Sequence, residues 1–152
     1  MFDPLQQIRA LDFLDSSPTR SGSNRQESAR TKKKKPIVLV VDDERLIADT
    51  MTEILRRSGF DAQCAYDGQS ALELAVQITP DYVVTDVVMP KMNGVQLAIA
   101  IRKALPSTEI ILLSGQAGIS EIVDHGRNEG YAFELIPKPI HPEKLLQRLN
   151  QA

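Results

Sequence analysis

Residues 37–43 read Ile37-Val38-Leu39-Val40-Val41-Asp42-Asp43. An unbroken aliphatic run of this kind suits a strand covered on both faces, as the strands of a parallel sheet are. Two aspartates then stand at its carboxyl end. Working outward, Leu46, Ile47, Met51, Ile54 and Leu55 recur at helical spacing over 44–58, and Gly59 follows where a left-handed turn would end a helix. Residues 62–66 read as a short strand, and Asp67-Gly68 open a helix to about Ile78, closed by Pro80. The rhythm continues with strand 81–85, helix 94–105, strand 109–113, a weaker helix 118–129 containing Gly126, strand 131–136 and a last helix from Pro142 to about Asn150. Five strands alternating with five helices predict an α/β fold, a doubly wound parallel sheet with right-handed crossovers.

The chain has 152 residues, enough for one domain and a modest extension. With 42% hydrophobic and 25% charged residues it is neither wholly disordered nor collagenous. A single cysteine, Cys64, allows no intramolecular disulfide; its neighbours suit a buried thiol, and a reducing compartment follows. No apolar run approaches ~18 residues, and the N-terminus lacks a basic start with an apolar stretch behind it. A cytoplasmic protein without a membrane partner is expected.

Charge is unevenly spread. Residues 1–35 carry eight Lys/Arg and four Asp/Glu, whereas 36–152 carry ten and sixteen. A flexible basic N-terminal extension, 1–35, is therefore expected before an acidic domain, 36–152. Asp3, Pro4, Leu5, Ile8 and Leu11 allow a short helix over 4–15; a docking helix and a fraying arm both fit. Lys32 to Lys35 lack interleaved aromatic residues, so they read as a solubilising tail, and no nucleic-acid partner is expected.

In open parallel sheets, ligands bind outside the carboxyl ends of the strands. Asp42, Asp43, Asp86, Ser114 and Lys138 all fall at such ends. Three carboxylates that converge repel one another unless a divalent cation lies between them. Oxygen donors without His or Cys favour Mg²⁺ over zinc. Lys138 can pair with a phosphoryl group and Ser114 can donate a hydrogen bond to it. An aspartate so flanked is a plausible nucleophile for phosphoryl transfer. Read singly, Asp42 and Asp43 also fit helix caps, Ser114-Gly115 a turn and Lys138 a solvated surface residue.

Four pieces carry a resemblance: Asp42-Asp43-Glu44, Asp86-Val-Val-Met-Pro-Lys-Met-Asn-Gly94, Leu113-Ser114-Gly115 and Pro137-Lys138-Pro139. Residues 36–152 resemble the receiver domain of two-component response regulators, as found in single-domain chemotaxis regulators. The resemblance implies a flavodoxin-like (βα)5 fold with strand order 2-1-3-4-5. It also implies that Asp86 is the phosphoacceptor, Asp43 a direct Mg²⁺ ligand with Asp42 assisting through water, and the Val88 backbone carbonyl a further ligand. Ser114 would be the switch hydroxyl and Lys138 the phosphate-pairing cation, with a cis bond to Pro139. Glu44 reads as a first-turn helix acid.

With the chain ending at Ala152, just after the last helix, a stand-alone response regulator is expected from this resemblance. It would accept a phosphoryl group from a sensor histidine kinase or phosphotransfer protein and bind a downstream protein through its 118–150 face. It would not be an enzyme in the usual sense. Two rivals stand: a constitutive adaptor working through residues 1–35, and an aspartate-nucleophile phosphatase of the haloacid dehalogenase type, whose usual Asp-x-Asp stretch and cap are missing. One departure from the family is Leu135, where an aromatic residue often precedes the lysine by three; Phe133 shares its strand alternation. His125 and His141 read as surface or capping residues.

Overall fold

The computed structural model describes residues 34–115 and 119–151. Residues 1–33, with the helix expected over 4–15, lie outside them. The elements alternate as β1 (Ile37–Val41), α1 (Arg45–Arg57), β2 (Asp61–Ala65), α2 (Gly68–Ile78), β3 (Tyr82–Asp86), α3 (Gly94–Ala104), β4 (Glu109–Ser114), α4 (Ile119–Asn128), β5 (Glu134–Pro137) and α5 (Pro142–Asn150). The strands form one parallel sheet in the order β2-β1-β3-β4-β5.

Strand alternation splits the aliphatic runs between two cores. Leu39, Val41, Val83, Ile110 and Leu112 pack with Ala71, Ala75, Leu97, Ala98 and Ile101. Val38, Val40, Val84, Ile111 and Leu113 pack with Ala48, Leu55, Leu145 and Leu149 on the opposite face. Each large aliphatic side chain so buried contributes roughly 1.5–3 kcal/mol. This is why the central strands read as continuous apolar runs, while the edge strand β2 does not. Cys64, on that edge, is half-buried rather than buried, its Sγ 3.5 Å from both Asp49 Oδ1 and the Tyr66 hydroxyl.

The face of α1 departs from its apolar spacing. Leu46 is 79% exposed and Ile47 42%, whereas Ala48, Thr52 and Leu55 are buried. Positions 48, 52 and 55 share one stripe, and Thr52 can join it because its hydroxyl donates to the Ala48 carbonyl at 2.7 Å. Strand β5 also differs from the expected 131–136: it begins at Glu134. Gly130 turns the chain at φ +92°, and the Tyr131 N–H closes on the Gly126 carbonyl, so residues 131–133 finish the helix exit before pairing starts at Ile111 and Glu134. Tyr131 and Phe133 stack there with centroids 6.1 Å apart, and Arg102 lies 5.2 Å over Phe133.

Helix entries place the loops that follow the strands. The Asp67 carboxylate accepts from the Ser70 N–H at 2.7 Å, and Asn93 and Gln96 form a reciprocal capping box at 2.9 Å. His141 occupies the N-cap of α5 without a side-chain capping bond, and His125 pairs with Glu129 at 3.6 Å on the surface.

Candidate phosphoacceptor site

Asp42 directly follows β1, Asp86 and Ser114 end β3 and β4, and Lys138 directly follows β5. Their elements therefore deliver them to one edge of the sheet. Carboxylate oxygens of Asp42, Asp43 and Asp86 lie within 4.8 Å of one another. The Lys138 ammonium stands 3.2 Å from Asp86 Oδ2 and 3.5 Å from Asp42 Oδ2. Asp42 is only 3% exposed; its Oδ1 accepts the Glu44 N–H at 2.9 Å, and its own N–H donates to the Ala65 carbonyl.

Electrostatics follow from this packing. Burial pushes the Asp86 carboxyl above its ordinary pKa, Lys138 pulls it back, and Asp42 adds to the rise. Burial works against the Lys138 ammonium, yet Asp86 and Asp42 together hold its pKa above the usual value. Three acids served by one ammonium leave negative charge in excess. All the donors are oxygen, so the set fits a hard divalent cation, and Mg²⁺ is the ion such a donor set favours. Asp42, Asp43 and Asp86 bring their carboxylates together there, and Val88 lines the adjoining cleft.

The site opens into a cleft of about 650 Å³ lined by Asp43, Glu44, Asp86 and Lys138 together with Ile47, Met51, Val88, Leu113 and Ile140. The Val88 backbone N–H also works against the rise in the Asp86 pKa. The Lys138–Pro139 bond is cis, as the family resemblance implied. Ser114 is tied in through its backbone, its carbonyl accepting the Lys138 N–H at 2.7 Å, while its neighbours Leu113 and Gly115 line the cleft.

Glu44 is a correction. It is not in the first turn of α1 but at the N-cap, and its side chain makes no capping bond. Its place directly after the acid pair was the available signal. Ile47, Met51 and Ile140 were also missed, because nothing in an apolar spacing tells a cleft wall from a core.

The family model for the response regulator receiver domain matches residues 38–150. The response regulator MprA of Mycolicibacterium vanbaalenii is 35% identical over 113 residues, 74% of this chain and 48% of that protein. The chain thus spans about half the length of the curated relatives it matches. Among solved structures, the Vibrio cholerae chemotaxis protein CheY4 aligns with a TM-score of 0.68 at 28% identity, covering 78% of this chain and 98% of CheY4. The Francisella response regulator 1452 receiver domain aligns at 0.65 and 32%, covering 77% and 95%. A two component transcriptional regulator from Clostridium phytofermentans aligns at 0.62 and 30%, covering 77% and 90%, so these relatives lend no support to the expected absence of a nucleic-acid partner. The chain belongs to the receiver domain family of two-component response regulators. It is thus a member of a phosphoacceptor switch family whose domains take phosphoryl groups from histidine kinases and bind Mg²⁺ at an aspartate cluster. None of the described helices is long and apolar enough to cross a membrane.

Proposed function

We propose that Asp86 accepts a phosphoryl group from a phosphohistidine donor and that the modified domain signals by binding a downstream protein. The convergence of Asp86 with Lys138 beside the Asp42–Asp43 pair carries this reading. An Asp86 carboxylate oxygen attacks phosphorus, the P–N bond breaks, and the imidazole leaves. Bound Mg²⁺ would supply neutralisation of the charge on the phosphoryl oxygens, held by Asp43, Asp86 and the Val88 carbonyl, with Asp42 acting through water. Lys138 pairs with the transferred group, and the Ser114 hydroxyl is the donor that turns toward it. The exposed Ile47, which lines the cleft with Met51 and Ile140, offers the donor protein an apolar docking face, and its neighbour Leu46 is exposed as well.

Ser114 ends β4 and Lys138 leaves β5 toward α5, so the expected 118–150 face, of which residues 119–150 are described, is the surface whose two states a partner would distinguish. With a leucine at 135, and Phe133 stacked against Tyr131 with Arg102 over its ring, readout by rotation of an aromatic ring at 135 is not available. Intact mass after incubation with acetyl phosphate and with a phosphohistidine protein, with and without Mg²⁺, tests the chemistry in wild type and Asp86→Ala. A Mg²⁺-dependent gain of one phosphoryl group that the variant lacks is expected. An adduct that persists in Asp86→Ala, or no adduct from either donor, would remove the assignment.

A further inference from the structure

We propose that Glu44 makes the cleft discriminate among phosphodonors, favouring those whose leaving group departs as a neutral amine over doubly anionic acyl phosphates. The inference rests on the phosphoacceptor reading above and adds a specificity-determining residue to it.

The Glu44 backbone is pinned by its N–H bond to Asp42 Oδ1, and the residue, solvent-exposed and with its side chain free of any capping bond, lines the cleft with Asp43 and Asp86. Lys138 is the one cationic side chain lining that cleft among the described residues, and it is already paired with Asp42 and Asp86. The four carboxylates outnumber the ammonium by three charges, and a bound divalent cation still leaves one negative charge in excess. That excess is Glu44: without it the loaded site would be neutral. The rest of the lining is largely apolar and offers an approaching anion no compensation.

Donors differ in how they meet this field. Acetyl phosphate arrives as a dianion. Its attack by the Asp86 carboxylate forms the acyl phosphate, breaks the acetyl O–P bond and releases acetate, a second anion. Phosphoramidate arrives as a zwitterion with one net negative charge. The same attack breaks its P–N bond, and the nitrogen keeps its three protons and leaves as neutral ammonia. Phosphoimidazole behaves alike, and its flat apolar ring suits walls such as Ile47, Met51 and Ile140. An unscreened unit charge at a solvent-open cleft should separate the two donor classes by about two- to fivefold.

The test is the labelling rate of the full-length chain, followed by intact mass with saturating Mg²⁺, for acetyl phosphate and phosphoramidate. Glu44→Gln is expected to raise the acetyl phosphate rate by about two- to fivefold more than it raises the phosphoramidate rate. Glu44→Asp should retain the wild-type ratio. Added inert salt should speed acetyl phosphate labelling of the wild type and not of Glu44→Gln, a response that a merely structural role would not produce. An unchanged donor ratio in Glu44→Gln, or equal salt responses, overturns the proposal while leaving the phosphoacceptor reading intact. Absence of labelling from every donor overturns both.

Discussion

Gly94 lies against the Asp86 carbonyl so closely that a β-carbon at position 94 would overlap that oxygen and press on Val87 Cα. Its own N–H donates to the Val87 carbonyl at 2.8 Å, closing the loop that leaves β3. Both obstructing atoms are backbone and cannot rotate away. Gly94→Ala is therefore expected to cost about 1–3 kcal/mol and to slow labelling of Asp86. Urea denaturation and intact-mass kinetics check the two effects; a variant matching wild type in both would show that the loop yields.

Lys138 is the counter-ion of a partly buried acid cluster. Removing it in Lys138→Ala leaves Asp42 and Asp86 facing each other without a cation, at a cost of about 1–3 kcal/mol when no divalent ion is present. Mg²⁺ should restore part of that loss. Melting with and without the ion measures the difference, and an equal deficit in both would contradict the role given to the ammonium.

The pH dependence has a definite sign. Because burial raises the Asp86 pKa in the folded chain, the native state holds that proton more tightly than the unfolded state does. Ionised Asp86 thus works against folding once pH rises above the unfolded carboxylate value of about 3.9, and fully so above the folded pKa. Asp86→Asn should be the more stable protein at pH 7 without Mg²⁺, with the gap closing as pH falls toward that value. Urea midpoints across this range decide it; a gap that widens toward acid would reverse the assignment.

Thr79 ends α2 at φ +44°, a left-handed conformation that a β-branched residue rarely adopts. Thr79→Gly should stabilise the chain by about 0.5–1 kcal/mol, because the native angle suits glycine. Thr79 lies outside the acid cluster, so donor labelling should not change. A lower denaturation midpoint would show that its hydroxyl bond to the Ile78 carbonyl outweighs the backbone term.

Strand positions were legible because β1, β3 and β4 are buried on both faces, and such burial leaves uninterrupted aliphatic runs in any sequence that meets it. Asp42, Asp86 and Ser114 inherited their placement from those runs. Other features depend on tertiary context. Leu46 has the hydropathy of a core residue, yet α1 turns Ala48, Thr52 and Leu55 inward, and only the hydroxyl bond within the helix makes Thr52 acceptable there. Tyr131 and Phe133 have strand propensity, but the Gly130 turn and the helix-closing bond at Gly126 use them elsewhere. Glu44 lines the cleft with its backbone held by Asp42, an arrangement that no spacing rule encodes.

The four charged groups at the sheet edge hang from strands of unequal security. Asp42 and Asp43 leave β1 and Asp86 ends β3, both flanked by neighbours on each side, whereas Lys138 leaves the four-residue border strand β5. Border strands open at lower free energy than interior ones. A brief detachment of β5 would withdraw the ammonium and leave the acids standing on intact scaffolding. The cation is therefore the movable half of the site, and amide exchange at Leu135, Ile136 and Lys138 would time its departures.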